Sequence, residues 1–367
     1  MGGVLSSNLQ FLRGFRSLGH DVYLVEKAGY PNSCFDPRIP ALGEDCAHGM
    51  ATIDRLLREH GLAGRWCYVS ADGTYHGLTK DEVERVFSRT DVFIDRGLHG
   101  TWDRESAEVE CRVLIDPDPG YRQIRMEKAR RRGESLPIFD YYYTYGQNIG
   151  AGSPAPTAGI DWRHIFHPVD TDLFKMEPMP AKGSFTTVMN WQSLPTVDFE
   201  GVEYGMKDVE FSRFRDLPAL VSTPLKMAVE GSGFRSDEFH DLGWSFESAL
   251  EATSSLNRFT EFIRTSLGEF SVAKHVYVAM RVGWFSDRSA AYLAHGRPVV
   301  IQDTGIQDHL PLGDGLYAVD TVQEASRAIE TIAEDPNHHA AAARSIAEEY
   351  LATSVVLPRF LEEIGFA

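Results

Sequence analysis

At 367 residues the chain exceeds one typical hydrophobic core and suits two domains of ordinary size. Hydrophobic residues at 43% and charged residues at 24% exclude a disordered or membrane-embedded chain, and no apolar run reaches the roughly 20 residues that span a bilayer. A net charge of −17 argues against broad electrostatic binding to nucleic acid or to an anionic membrane, both of which need basic surface.

Leu5, Leu9, Leu12 and Phe15 recur at helical spacing, and Gly19 stops that helix. Residues 21–26 (DVYLVE) then read as a strand ending in an acid, the second half of a βαβ unit. A strand is expected ahead of Gly2 and Gly3. Either the chain starts late relative to its fold or this domain lacks its first strand, which in a doubly wound sheet lies in the middle. Helices over 51–61 and 80–88 alternate with strands over 66–69, 92–95 and 112–115. A helix over 121–132 and a strand over 141–145 close the series, with 141–145 expected as the domain's last strand. The arginines between Arg125 and Arg132 read as a solvated helix face or as a seat for an acidic partner. Such alternation implies a parallel sheet covered on both faces. Proline, glycine and small residues dominate 150–183, which reads as the interdomain connection. A second series follows: strands over 186–190, 226–229, 298–301 and 316–319, and helices over 256–265, 287–295 and 322–333. Residues 338–364 are helical with a break near Thr353 and Ser354.

The expected organisation is an N-terminal Rossmann-like domain over 1–165, a linker over 166–183 and a second Rossmann-like domain over 184–345. A C-terminal helix over 346–367 is expected to cross back to the first domain. Cys34, Cys46, Cys67 and Cys111 are widely spaced, with no CxxC, so they read as reduced thiols. No basic segment leads into an apolar one, so no signal peptide is read and a cytoplasmic location is expected.

The chemistry concentrates in residues 268–315, around the strings GEFSVAK, GWFSDRSAAYLAHGRPVVIQDTG and LPLGDGLY. Ser286 and Asp287 make a good N-cap for the helix that runs to His295, and the free amides there suit a diphosphate. Ser289 lies in its first turn. Gly296 ends the helix, and Pro298 turns the chain into the sheet. The loop Gln302–Asp303–Thr304–Gly305 then emerges at the carboxyl edge of that strand, where ligands of open α/β sheets bind. Lys274 and Arg288 are candidate cations for the charge that builds on a leaving diphosphate.

This stretch resembles the donor-binding region of GT-B glycosyltransferases. It is similar to a poorly characterised bacterial group of group 1 glycosyltransferase-like proteins, a likeness that LGHDVYLVE, TYGQNIG and YGMKDVEF extend over most of the chain. The resemblance implies two Rossmann-like domains facing across a cleft, and a nucleotide-sugar donor held by the second. It implies donor contacts from Trp191 and Ser193 after that domain's first strand, and from Lys207. Lys274, Trp284, Ser286, Asp287, Arg288, Ser289, Asp303, Thr304 and Gly305 complete the set. The retaining branch of this fold carries two glutamates where this chain has Trp284 and Ala291. Asp303 or Glu269 is the expected substitute, and retention of configuration is left open. Trp284 also reads as core or as a wall for the base, and Lys207 as a solvated lysine.

In the N-terminal domain an inverting transfer needs a base for the acceptor hydroxyl. His99, between two glycines, is the first candidate, and Asp116 and Asp118 follow. His164 and His167 suit a hinge or the cleft. The spacing of Asp116 and Asp118 resembles the Asp-x-Asp of metal-dependent GT-A enzymes, but the flanking prolines and the two-domain pattern do not. The expectation is a metal-independent, hexosyltransferase-like enzyme without cofactor, taking a nucleoside-diphosphate sugar (UDP-sugar among others) as co-substrate. Its acceptor would be a small molecule, glycan or other hydroxyl compound, with no nucleic acid bound. The alternatives are a nucleotide-sugar epimerase of the same fold and a non-catalytic nucleotide-sugar-binding homologue.

Overall fold

The computed structural model describes residues 2–98, 101–192 and 195–366. In the first half the order is α1 (Gly2–Ser17), β1 (Leu24–Lys27), β2 (Cys34–Asp36), β3 (Ile39–Gly43), α2 (Ala47–Glu59), β4 (Trp66–Val69) and β5 (Tyr75–Gly77). Then come α3 (Lys80–Phe87), β6 (Val92–Asp95), β7 (Cys111–Asp116), α4 (Tyr121–Arg131), β8 (Tyr141–Thr144) and β9 (Trp162–His164). Local rules explain several of these. Thr79 and Glu82 form a reciprocal capping box that starts α3. Gly120, at φ +80°, lets the chain leave β7 and turn into α4, and there is little room for a side chain because Val276 and Val282 crowd that point.

Strand β1 pairs in parallel with β4, which pairs antiparallel with β5, while β6, β7, β8 and β9 form a separate all-parallel sheet. Residues 141–145 are therefore not the last strand. β9 follows from within the proline-rich stretch, a three-residue strand too short for periodicity to reveal.

The second half holds β10 (Phe185–Asn190), β11 (Val197–Phe199), β12 (Val202–Tyr204), α5 (Lys207–Phe211), β13 (Leu225–Glu230), α6 (Ser236–His240) and β14 (Ser245–Ser248). It continues with α7 (Ala249–Ala252), α8 (Leu256–Arg264), β15 (Gly268–Ser271), α9 (His275–Ala279), α10 (Asp287–Ala294) and β16 (Val299–Gln302). The chain ends with β17 (Leu316–Val319), α11 (Val322–Glu334), α12 (Pro336–Ile346) and α13 (Thr353–Ile364). Six parallel strands run in the order β14-β13-β10-β15-β16-β17. Renumbered within the domain, that order is 3-2-1-4-5-6, the doubly wound pattern with its crevice between the first and fourth strands. The molecule is thus α/β with two Rossmann-like domains.

Two apolar clusters run through the junction of the halves. One joins Leu9 and Leu12 of α1 to Ile263 of α8 and Tyr292 and Leu293 of α10. The other joins Leu114 and Ile124 to Val276, Tyr277 and Val282. The connecting stretch is held down by arginines. The buried Arg297 donates to the carbonyls of Glu177, Pro178 and Arg264, and Arg344 donates to those of Phe174 and Ala294. The helical tail breaks at Ala352, and α13 packs on α1, where Phe360 meets Phe15 and Tyr143. The later part of the basic stretch is paired with acids: Arg130 and Arg131 share Glu127, and Arg132, just past α4, takes Glu134.

Candidate functional site

The carboxyl ends of both large sheets point into the junction. On the C-terminal side, β15 delivers Ser271 to Lys274, β16 delivers Gln302 to Gly305, and α10 starts between them in sequence. The N-cap of α10 is Ser286, whose Oγ accepts from the Arg288 amide at 3.1 Å.

Arg288 is the most constrained cation of the site. Its Nε donates to Glu269 Oε1 at 2.5 Å, Nη1 to the Val188 carbonyl at 2.7 Å and Nη2 to Ser271 Oγ at 2.5 Å. Glu269 has no exposed surface, and its second oxygen is buried without a hydrogen-bond partner. The pair ties α10 to β15 and β10, so both residues spend their charge chiefly on each other. Ser289 is buried, with its hydroxyl also unpartnered.

Lys207 starts α5 and is half-buried. Its ammonium is held well below the usual lysine pKa, first by burial and then by the positive charges of Arg288 and Lys274. Glu269 and Asp287 partly offset this. Three cations thus gather around the amino end of α10.

Lys274 reaches across the junction. Its Nζ lies 2.8 and 2.9 Å from the two oxygens of Asp118, which also accepts from the Tyr277 hydroxyl. Burial, followed by the Asp118 charge, raises the Tyr277 phenol well above its usual range. Asp116 has no exposed surface. It accepts from Thr144 Oγ1 and Gln123 Nε2 at 3.0 Å each and from the Asp118 amide, so it shapes the loop that presents Asp118. Desolvation raises the Asp116 carboxyl, against the nearby charge of Arg122. In this geometry Asp116 is a positioning group.

Asp303 accepts from the Gly305 amide at 2.7 Å and from Arg281 at 3.2 Å, with Gly305 at φ +88° completing the turn. Thr304 is buried and donates to the Trp284 carbonyl, so this loop is braced against Trp284. Trp284 is half-buried, its ring 5.0 Å from that of Tyr277. Ala291, the other position of the substituted glutamate pair, is buried. Trp191, expected as a donor contact, is buried against Phe211, Phe234 and Phe239, which makes it a core residue. Ser193 and His99 lie outside the described residues.

Of the other groups at the junction, His167 is expected at a hinge or the cleft, whereas Asn148, Arg96 and Glu210 are not singled out in the sequence. Asn148 donates to the carbonyls of Arg281 and Gly305 and takes His309 at 2.7 Å, tying the two domains. Arg96, just past β6, grips Ser7 and Asn8 of α1. His167 stacks on Tyr145 with ring centres 3.4 Å apart. Its pKa is pushed down to about 4, first by burial, with Asp287 and Arg96 acting in opposite directions. Glu210 is buried and gathers His275, Gln302 and Arg213. These groups meet through loops distant in sequence, and a motif search along one segment does not connect them.

No family model matches the chain, and no curated protein matches it. Solved structures do. An alpha-glucosyltransferase in complex with UDP and a 13-mer DNA containing an A:G mismatch is 11% identical with a TM-score of 0.59, over 99% of this chain and 96% of that one. Anabaena HepE, in complex with UDP and glucose, is 12% identical with a TM-score of 0.54, over 100% and 96%. AviGT4, a glycosyltransferase involved in avilamycin A biosynthesis, is 14% identical with a TM-score of 0.51, over 100% and 90%. At these identities the likeness is one of fold.

Proposed function

From a chain with the GT-B glycosyltransferase fold, we propose a metal-independent transfer of a sugar from a nucleoside-diphosphate sugar to a hydroxyl acceptor. The observation that carries this reading is the gathering of Lys207, Lys274 and Arg288 near the amino end of α10, with the Lys207 ammonium held below its usual pKa by burial and by the other two charges. Clustered cations are costly until a polyanion arrives, and a helix start at the carboxyl edge of a doubly wound sheet is where a diphosphate fits. Lys207 and Lys274 would face the phosphates, while Arg288, paired with Glu269, would hold the start of α10 in place behind them. The same groups would steady the negative charge that grows on the leaving diphosphate. Asp303, Thr304 and Gly305 would border the sugar, with Trp284 beside it.

The acceptor would enter on the N-terminal side, where His99 is the first candidate base and Asp118 the second. Acceptor and donor base are left open. The net charge of −17 favours an acceptor other than nucleic acid. Four free thiols suit a reducing, cytoplasmic setting. Trp284 and Ala291, standing where the retaining branch has carboxylates, support a second reading, a homologue that binds the donor without turnover.

The test is thermal stability against UDP-, GDP-, dTDP- and CMP-sugars, with Lys207→Ala and Lys274→Ala alongside. A ligand at 100 times its dissociation constant adds about 2.7 kcal/mol, a rise of a few degrees. One nucleotide class should stabilise the parent and do so less in both variants. A panel in which nothing shifts the melting point ends the reading. Sugar transfer in an acceptor screen separates enzyme from binding homologue, and a new sugar formed from donor alone would mean epimerisation.

A further inference from the structure

Away from the cleft, at the opposite end of the C-terminal sheet, three metal-ligating side chains converge. Asp314 lies in the loop that enters the amino end of β17, whereas the proposed donor groups leave the carboxyl ends of β15 and β16. His338 and His339 stand at the start of α12. His338 Nε2 is 3.1 Å from Asp314 Oδ1, and His339 Nδ1 is 3.9 Å from the same oxygen. One ligand atom from each residue lies within 4.8 Å of the other two. Ligands about 2.0 Å from a tetrahedral ion stand about 3.3 Å apart, so small side-chain rotations bring all three onto one cation.

Local structure brings these groups together. Asp335 caps α12, accepting from the His338 amide at 3.2 Å through its side chain and from the His339 amide at 3.3 Å through its carbonyl. Two consecutive histidines are thereby fixed, one presenting its far nitrogen to Asp314 and the other its near one. Gly315, at φ +76°, closes the loop onto the helix, where the Ala343 backbone leaves no room for a side chain.

Two further features suit a cation. The Gly315 amide donates to His339 Nδ1 at 3.2 Å, so that nitrogen carries a lone pair and the ring hydrogen sits on Nε2. The ring's hydrogen bond to the Thr331 carbonyl of α11 then comes from Nε2. A carbonyl behind the second nitrogen is the support that fixes tautomer and ring orientation in metal-bound histidines. Asp314, for its part, has no permanent cation. Among the described residues its carboxylate pairs only with the two histidines, and no lysine or arginine reaches it. His338 and Asp314 are exposed while His339 is buried, so water can complete the coordination from one side.

We propose that Asp314, His338 and His339 bind a divalent cation of the zinc class, which ties the loop before β17 to the start of α12. Two imidazoles and one carboxylate favour zinc, nickel or copper over magnesium and calcium, which take oxygen ligands. The cation takes the His339 lone pair over from the Gly315 amide, and water fills the open position. Its effect is on the stability of this corner of the domain. The transfer proposed for the cleft draws no metal from it, and the site holds whichever ligand the cleft takes.

The experiment titrates zinc chloride into the chelator-treated, tag-free protein by calorimetry, with Asp314→Asn and His338→Ala alongside. Both replaced side chains are exposed, so these variants are expected to fold. The parent should take up one equivalent of zinc and melt a few degrees higher with it. Each variant should bind at least about tenfold more weakly. Magnesium should neither bind nor stabilise. Cobalt(II) in the same place should absorb in the visible without a thiolate charge-transfer band. The absence of saturable uptake at one equivalent would overturn the proposal, as would equal affinity in parent and variants. A thiolate band, assigning the ion to cysteine, would do the same. The Gly315 amide gives a reading on the parent alone, whatever the variants do. Its resonance should shift and its exchange quicken as zinc displaces it from His339, and an unmoved resonance rejects the site.

Discussion

Glu269 and Arg288 show how charge is spent at the residue scale. Both are largely out of water, and the Arg288 guanidinium is shared among a carboxylate, a carbonyl and a hydroxyl. Removing one member of such a pair strands the other. Arg288→Met is expected to lower unfolding free energy by about 3–5 kcal/mol in urea titration, with the double change Glu269→Gln, Arg288→Met recovering much of it. A single change that costs under about 1 kcal/mol would show that the pair is not the staple described. The buried histidines give a pH signature. Burial depresses His167 and His295 to about 4, below the free-histidine value, so the unfolded chain takes up their protons first as pH falls. Stability is therefore full above about pH 6.5 and declines toward pH 4, by up to about 3 kcal/mol per histidine. His167→Gln should flatten that decline in denaturant midpoints measured across the range. An unchanged slope would mean that His167 protonates as easily folded as unfolded.

Among the elements, the crossing of α1 and α13 is a close helix contact centred on Gly14. A Cβ built on Gly14 would stand 2.4 Å from Leu357 Cδ1 and 3.0 Å from Thr353 Cβ. Helix propensity alone favours replacing a mid-helix glycine by about 1 kcal/mol. Overpacking wins here: Gly14→Val is expected to destabilise by about 1–3 kcal/mol, whereas the same change at an exposed helix glycine would not. A stability gain would mean that α13 yields easily. Helix α13 also covers Phe11, Phe15 and Tyr143, so its loss by ending the chain at Ala352 should expose that cluster and reduce solubility.

The scale of the whole molecule is set by the junction. Apolar clusters pass from one domain to the other, and Asp118, Asn148 and Ser153 of the first domain bond to groups of the second. Asp118 holds the ammonium that the proposed donor would use. Phosphate and carboxylate then compete for Lys274 across the junction, and donor binding is linked to how the domains meet. Asp118→Asn is expected to strengthen nucleoside-diphosphate binding about fivefold, near 1 kcal/mol, while lowering turnover. Titration calorimetry reads the first quantity. Unchanged affinity would detach Lys274 from the donor.

Sequence alone was sufficient for what short-range physics controls. Alternating helix and strand patterns implied two α/β domains, because apolar periodicity is local. Ser286 at the start of α10 and the turn at Gly305 follow from capping and from left-handed backbone, both properties of a few adjacent residues. The tertiary structure decided everything that depends on charges meeting over distance. Asp118 is 156 residues from Lys274, and Glu269 is on a different element from Arg288. Trp191, expected from the resemblance as a donor contact, is buried by phenylalanines from elsewhere. The short strand β9 had too few residues for a pattern. Local sequence sets backbone preference and face, whereas the partner of a buried charge or ring is chosen by the packing of the finished fold.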